Sequence, residues 1–396
     1  MDANLHQKKQ PTLAILTYAD KTRIFRGNQK NFVDLIRTGE EHDVRVYVMT
    51  TTDFKVNGNH AVGYTYNPSS KRWDKKLFPL PNIIYNRIPY RKFELQPEVQ
   101  QIIQSCMRNS QIQFFNPSFF NKWTLFEWLN QSKQTQPFIP ATEQMTNANA
   151  LGDLLKSHSS LYLKPIRGKA GKGIMKVSLT EKSKMRLYEL SIQDKTKSHI
   201  SRYADIHKLW AQIRDLTGSK EYIVQQGISL ASYKDRPFDL RVLVQKNGNG
   251  EWSIAGVGAR LAGKMSITTH VPRGGSIDDP LKLLSASFGT QGSKRIISKA
   301  KQAALTIARQ IEKASGHTLG EMSMDLGVDN NKNIWFFEAN SKPMKFDEPQ
   351  IRKKSLENLI RYSLFLSDMK QKSIARKSAI VKKAVRHSKK PARVGR

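Results

Sequence analysis

The sequence predicts a mixed chain: a small layered α/β domain, then a larger α+β unit of two lobes, then a basic tail. Three observations carry this expectation. Over the first hundred residues, short β-rich apolar runs alternate with helically spaced segments, as layered α/β domains require. Beyond residue 220, strand-like runs come in pairs separated by turn residues, the pattern of antiparallel hairpins. From residue 367 to the end, eleven Lys or Arg stand against one Asp, so this segment is separable from the fold.

At 396 residues and 38% hydrophobic content, the chain can bury a substantial core spread over two or three compact units. That excludes a disordered protein. No apolar run approaches the roughly 20 residues needed to cross a bilayer, and the run at residues 13–18 is too short for a secretion signal. The single cysteine, Cys106, cannot close an internal disulfide, which makes a cytosolic site of folding the default; it reads as a buried helix residue. A formal charge of +33 attracts nucleic acid, anionic membrane or acidic metabolites.

Residues 12–18, 44–49 and 82–86 read as strands, and residues 31–40 and 97–108 as helices. A fourth apolar run at 112–115 ends at Asn116-Pro117, which closes an amino-terminal domain at residues 1–116. Phe119, Trp123, Phe126 and Leu129 recur on one face, so a helix over 118–130 opens the next unit, 117–366, with Lys122 near its start. A helix near 148–156 leads into a strand at 161–165 and a glycine loop. Residues 178–220 are polar and weakly patterned, with a helix at 205–216. Strands resume at 221–225, 240–245 and 252–260, the last two joined by the turn residues Asn247-Gly248-Asn249-Gly250. A long amphipathic helix covers 294–315, a hairpin pairs 324–328 with 334–339, and residues 355–366 form a closing helix. The lobes divide near residue 230, at about 140–230 and about 231–366.

Three constellations carry chemistry. In Lys164-Pro165-Ile166-Arg167-Gly168-Lys169-Ala170-Gly171-Lys172-Gly173, a strand ends in lysine and enters a loop whose glycines let backbone amides close over phosphate oxygens. The Gly-Lys-Ser/Thr ending of a Walker loop is absent, and alone the segment reads as an ordinary hairpin with surface lysines. Glu338 and Asn340 lie two apart on a strand and so leave one face, where the hairpin brings Asp325 alongside. Three oxygen ligands on neighbouring strands suit magnesium, and bulky Trp335, Phe336 and Phe337 imply a burial that two carboxylates tolerate poorly without a cation. Finally, Asp239 and Arg241 share a strand face, followed by Arg260 and by Arg273-Gly274-Gly275; arginine's planar fork suits phosphoryl oxygens.

In this order, Lys122, Lys164 with its glycines, residues 222–228, Asp239-Leu240-Arg241, Arg260, Arg273-Gly274-Gly275, Asp325 and Glu338-Ala339-Asn340 together resemble the ATP-grasp superfamily. Within it, the chain is similar to the YheC/YheD endospore-coat-associated family of spore-forming bacteria. The likeness runs from the first strand to about Leu366 and includes Tyr85-Asn86-Arg87-Ile88, the segment from Phe115 to Trp123, and Glu338 to Pro343. It implies a pre-ATP-grasp domain followed by the two-lobed ATP-grasp fold. It further implies that Lys122 and Lys164 contact the α- and β-phosphates of ATP, with residues 168–173 (Gly168, Gly171 and Gly173 among them) as a flexible lid. Adenine would lie along Gln225, Gln226 and Ile228 through backbone groups of Gln225 and Ile228. Arg241 and Arg260 would face the γ-phosphate, with Lys164 beside them in the reaction, and Arg273 and Gly274 would border the nucleotide. Asp325, Glu338 and Asn340 would hold Mg2+.

The implied reaction activates a carboxylate as an acyl-phosphate for attack by an amine or similar nucleophile, in a cytoplasmic protein associated with the endospore coat. Related peptide-forming ligases follow the final asparagine with a small residue, proline and glycine. Here Ser341-Lys342-Pro343-Met344 places a further cation beside the reaction centre and leaves the acid and acceptor open. A different class of protein also accounts for the charge: a structural or binding protein that keeps the fold and attaches to polyanions through its basic surface. The tail at 367–396 reads as a solvated disordered extension, a polyanion- or spore-coat-binding arm, or an amphipathic helix that meets a partner.

Overall fold

The computed structural model describes residues 10–54, 58, 60–168, 171–182 and 185–388. Two compact units result, one built from Met1–Ser118, Lys246–Glu251 and Arg352–Arg396, the other from Phe119–Gln245 and Trp252–Ile351.

In the first unit, β1 (Thr12–Thr17), α1 (Gln29–Glu41), β2 (Arg45–Thr50), β3 (His60–Asn67), β4 (Arg72–Pro79), β5 (Ile83–Asn86), α2 (Pro97–Arg108) and β6 (Gln113–Phe115) build a sheet in the order β4-β3-β2-β1-β5-β6. β1 pairs in parallel with β2 and β5 and is buried along its whole length, which explains its uninterrupted apolar run. Leu13 and Ile15 pack on one face with Phe32 and Leu35 of α1; Ala14 and Leu16 pack on the other with Ile103 and Cys106 of α2. Burial pushes the Cys106 thiol up to about 12, consistent with a packing residue. The antiparallel hairpin β3–β4 has no counterpart in the sequence reading, because its half-exposed strands lack a clean apolar alternation.

The closing helix also differs from expectation. It runs over Pro349–Ser388, and its Leu359, Ile360, Tyr362 and Leu366 enter the core of the first unit, although the sequence reading attaches residues 355–366 to the second. The apolar stripe shows that a helix face is buried; it does not say which sheet receives it. The tail expected from residue 367 continues this helix to Ser388, and residues 389–396 lie outside the described part.

The second unit opens with α3 (Lys122–Asn130), whose N-cap Asn121 accepts bonds from the Trp123 and Thr124 amides. Its first lobe comprises β7 (Thr142–Gln144), α4 (Ala148–Ser157), β8 (Ser160–Pro165), β9 (Met175–Lys182), β10 (Met185–Asp194), β11 (Lys197–Tyr203), α5 (Ile206–Thr217) and β12 (Tyr222–Gln226). Its antiparallel sheet runs β11-β10-β9-β8-β12-β7 over a core that includes Leu151, Leu163, Leu190 and Ile213. β10 and β11 fall within the segment the sequence reading leaves unpatterned; β11 is almost wholly exposed, so no apolar face marks it.

The second lobe comprises β13 (Arg236–Lys246), β14 (Trp252–Leu261), β15 (Ser276–Asp278), α6 (Pro280–Ser315), β16 (Glu321–Val328) and β17 (Ile334–Asn340), in the sheet order β15-β14-β13-β16-β17. α6 begins well before the expected residue 294 and breaks at Gly289, whose φ of 70° and ψ of 170° are not helical. Phe126 of α3 stands T-shaped on Phe336 of β17, with ring centroids 5.7 Å apart, so α3 shares this core. Among the described residues, no helix is long and apolar enough to cross a membrane.

Tyr362 is fully buried and stands edge-on to Phe115 at 5.5 Å. Tyr362→Ala is therefore expected to lower unfolding stability by about 3–5 kcal/mol, read from urea titration of the full chain; unchanged stability would mean that the helix is not part of the first unit's core.

Candidate functional site

A cavity of about 270 Å³ lies between the lobes of the second unit. Strand periodicity builds its first wall. Tyr162 stands opposite Lys176 on one side and Gln225 on the other, and Lys164 shares its face two residues on; all four line the cavity. The Lys164 ammonium donates to Gln225 Oε1 at 2.5 Å, and Gln225 Nε2 donates to Thr142 Oγ1 at 2.9 Å. The backbone of Gln225 is committed to the sheet. Gly227 N bonds Ser160 O and Ile166 N bonds Glu221 O, so the alternating antiparallel ladder pairs Gln225 with Tyr162 as well. Gln225 therefore reaches the cavity by its side chain, which corrects the expectation that its backbone meets a ligand. At the rim, the Ala141 amide donates to Gln226 Oε1 at 3.2 Å, and Gln226 and Ile228 both line the cavity.

The second lobe supplies the carboxylates. Asp325 sits between Arg241 on β13 and Glu338 on β17. The register then shifts, so that Leu326 faces Phe336 and Phe337 is the extra residue of a β-bulge. The bulge turns Phe337 and Glu338 to the cavity together, where strict alternation would have separated them. Glycine at position 327 leaves room for it, since a Cβ there would come within 2.5 Å of the Phe337 ring and displace it. The Lys164 ammonium lies 5.2 Å from that ring's centroid.

Arg260 joins two of the carboxylates. Its Nε and Nη2 bond Asp239 at 3.0 and 2.6 Å, and Nη2 lies 2.7 Å from Asp325 Oδ2, all in side chains no more than 6% exposed. Burial opposes its charge, but Asp239 and Asp325 outweigh burial and raise the guanidinium's pKa further above its ordinary value. Burial likewise opposes ionisation of Asp325, yet Arg260, then Arg241, hold its carboxyl below the ordinary range. Lys122, at the start of α3, reaches Glu338 Oε2 at 2.6 Å. Burial, then the neighbouring Lys122 charge, bring Lys164 down to about 8, against the pull of Glu338, Asp325 and Asp239.

Residues 263–275 cross from the second lobe to the first. Thr269 Oγ1 donates to Asp239 Oδ2 at 2.6 Å. Ser266 Oγ and the Ile267 amide both donate to Gln193 Oε1 on β10, at 2.8 and 2.9 Å, and the Tyr162 hydroxyl donates to Ile267 O at 3.1 Å. Burial pushes that hydroxyl up to about 12, so it stays a donor. The segment brings His270 within 4.8 Å of the ligand atoms of Asp325 and Glu338. Burial, then the Arg260 charge, hold its imidazole below its ordinary pKa.

Of the residues singled out in the sequence, Lys122, Lys164, Gly168, Gly171, Gln225, Gln226, Ile228, Arg260, Asp325 and Glu338 line the cavity. Gly173, Arg241, Arg273, Gly274 and Asn340 do not belong to its lining. Arg241 lies 5.4 Å from the Phe346 ring, and Arg273 passes Gly171. Lys342, expected as a cation beside the reaction centre, sits instead over Phe119 at 4.5 Å and lies outside the lining. Lys169 and Ala170 of the glycine loop are outside the described residues. The sequence reading missed His270, Thr269 and Tyr162, as well as the role of Asp239 in holding Arg260, and it took Phe337 only as bulk around the carboxylates. A signal existed for His270, three residues before the Arg273-Gly274-Gly275 run.

Two antiparallel lobes that face a cavity of lysines on one side and carboxylates on the other define an ATP-grasp fold. D-alanyl-alanine synthetase A from Vibrio cholerae O1 biovar eltor str. N16961 shares it, with a TM-score of 0.50 and 13% identity over 93% of this chain and 99% of that one. The chain belongs to the YheC/D-like ATP-grasp family, whose pattern matches residues 111–366. Endospore coat-associated protein YheD of Bacillus subtilis (strain 168) is 31% identical over 282 residues, 70% of this chain. The match spans 61% of that relative's length. Endospore coat-associated protein YheC of the same organism is 22% identical over 78% of this chain and 84% of its own.

The Lys164 ammonium is expected to titrate near pH 8 in the free protein, against an ordinary lysine value of 10.5. Because the folded value is the lower one, the unfolded chain binds more protons between these pH values, and the penalty that this buried charge imposes on the fold is relieved as pH rises through that window. Carbon NMR of the lysine Cε resonances, assigned with Lys164→Met, reads the midpoint directly; a midpoint above 10 would contradict the environment described here.

Proposed function

We propose that the chain is an ATP- and magnesium-dependent ligase that activates a carboxylate as an acyl-phosphate for attack by an amine or similar nucleophile. The observation that carries this reading is the cavity's division of charge. Lys164, Lys172 and Lys176 of the first lobe face Asp239, Asp325 and Glu338 of the second, where Arg260 and Lys122 are already paired with those carboxylates, in a space closed by Tyr162 and Phe337, which suits a polyphosphate accompanied by a divalent ion. Lys122 and Lys164 are placed to neutralise the α- and β-phosphates, with adenine along Gln226 and Ile228. Arg260, held rigid by two carboxylates, faces the γ-phosphate with its remaining donors, and Arg241 adds charge behind Asp325.

The buried Asp325 Oδ1 has no hydrogen-bond partner, which fits a metal ligand, and Asp325, Glu338 and Asn340 would hold magnesium. Bound there, the ion supplies charge neutralisation at phosphoryl oxygens. In the first step a carboxylate oxygen attacks the γ-phosphorus and the bond to ADP breaks. In the second the nucleophile attacks the acyl carbon, inorganic phosphate leaves, and the amine's proton passes to solvent. The fixed cations need no reorganisation as charge builds on the transferring group, and the two lobes hold the reactants in place.

The relatives' association with the endospore coat extends the proposal to a role in coat formation. The +33 charge favours a second reading, a non-catalytic ATP-binding or structural protein that holds polyanions through its basic surface. DNA binding that survives Lys164→Ala but disappears when the chain is cut after Lys370 would support that reading.

The ligase reading is tested by screening acids and amines for ADP release with the full chain. An acid-dependent rate is expected, falling by at least about a hundredfold in Lys164→Met, the loss typical of a transition-state charge contact, and abolished in Glu338→Gln. A rate indifferent to both substitutions would overturn it.

A further inference from the structure

His270 has no part in the chemistry so far, yet the fold holds it tightly in place. Thr269 before it is bonded to Asp239, and the His270 carbonyl accepts from the Arg273 amide at 2.8 Å and the Gly275 amide at 3.3 Å. Gly171 approaches its ring so closely that a Cβ there would lie 3.1 Å from Nδ1. Two buried polar atoms at this spot lack hydrogen-bond partners: Asp325 Oδ1 and His270 Nδ1. Buried polar atoms are ordinarily bonded, and two such orphans beside Glu338 mark a place built for something that bonds to all three side chains. Ligand atoms of His270, Asp325 and Glu338 lie within 4.8 Å of one another. An ion with bonds of about 2.0–2.2 Å spans at most about 4.4 Å between two ligand atoms, so spacings within 4.8 Å need to close by no more than a few tenths of an ångström on binding.

We propose that His270 is a protein ligand to the divalent cation of this site, together with Asp325 and Glu338, and that the imidazole lets the site hold first-row transition ions as well as magnesium. The proposal rests on the reading of the cavity as an ATP site. Magnesium takes hard oxygen donors and gains little from an imidazole, whereas imidazole nitrogen suits the heavier first-row ions such as iron, nickel and zinc. Two of the carboxylate oxygens are already taken, Asp325 Oδ2 by Arg260 and Glu338 Oε2 by Lys122. With cations so close by, the ion binds well only with the negative charge of the nucleotide beside it.

The probe is Mn2+ with ADP, added to the full chain grown with 15N-labelled histidine. Pulsed electron paramagnetic resonance of the bound ion is expected to show coupling to a histidine 15N. In His270→Asn the coupling disappears, Ni2+ affinity in the presence of ADP falls by about tenfold, and Mg2+ affinity changes by less than about twofold. Bound Mn2+–ADP without histidine coupling would overturn the proposal and leave the nucleotide site standing. No binding of Mn2+–ADP by the folded chain would overturn both. Should the variant fail to fold, the labelled wild-type spectrum decides by itself.

Discussion

The site depends on one buried ion pair network, Arg260 between Asp239 and Asp325. Without the guanidinium, two carboxylates on adjacent strands would lie uncompensated in a water-poor wall, an arrangement that proteins relieve by protonation or distortion. With it, Asp325 stays ionised and directs one oxygen inward. Asp239 does double duty, since the oxygen that meets Arg260 also receives the Thr269 hydroxyl. The same network thus sets the path of residues 263–275, and with it the positions of His270 and of the amide that meets Gln193.

Opposite this wall, the lysines are held in a way that favours an incoming anion. Lys164 is buried, close to Lys122, and bonded to a neutral amide rather than to a carboxylate. Its charge is poorly compensated, and a phosphate group would restore what burial removes. Lys122 already has a partner in Glu338, so a cation that claims Glu338 would release Lys122 toward phosphate. Metal and nucleotide are linked through that single bond, which provides a physical reason for each to strengthen the other's binding.

Much of this was legible in the sequence, and what was not has identifiable causes. Lys164 at the end of a strand, the Asp325–Glu338 hairpin and the buried first strand follow from periodicity, because each lies on an element with a clear apolar face. The hairpin β3–β4 and strands β10 and β11 escaped because their residues are half-exposed or exposed, so hydrophobic alternation carries no signal there. The bulge that turns Phe337 beside Glu338 inserts a residue into a regular period and is invisible without the partner strand. His270 sits on an irregular segment whose course is set by distant bonds to Gln193 and Asp239, and no local pattern encodes those. The closing helix was found, but its host sheet was not, since an amphipathic face is silent about which core it fills.

The measurement that bears most directly on the account is calorimetric titration of ATP into the folded full chain, with and without magnesium. Convergence of Lys122, Lys164 and Arg260 with the Asp325–Glu338 pair on one polyphosphate predicts saturable binding that is clearly tighter when the ion is present. A folded sample whose heat of mixing shows no ATP affinity, or an affinity unchanged by the ion, would contradict it.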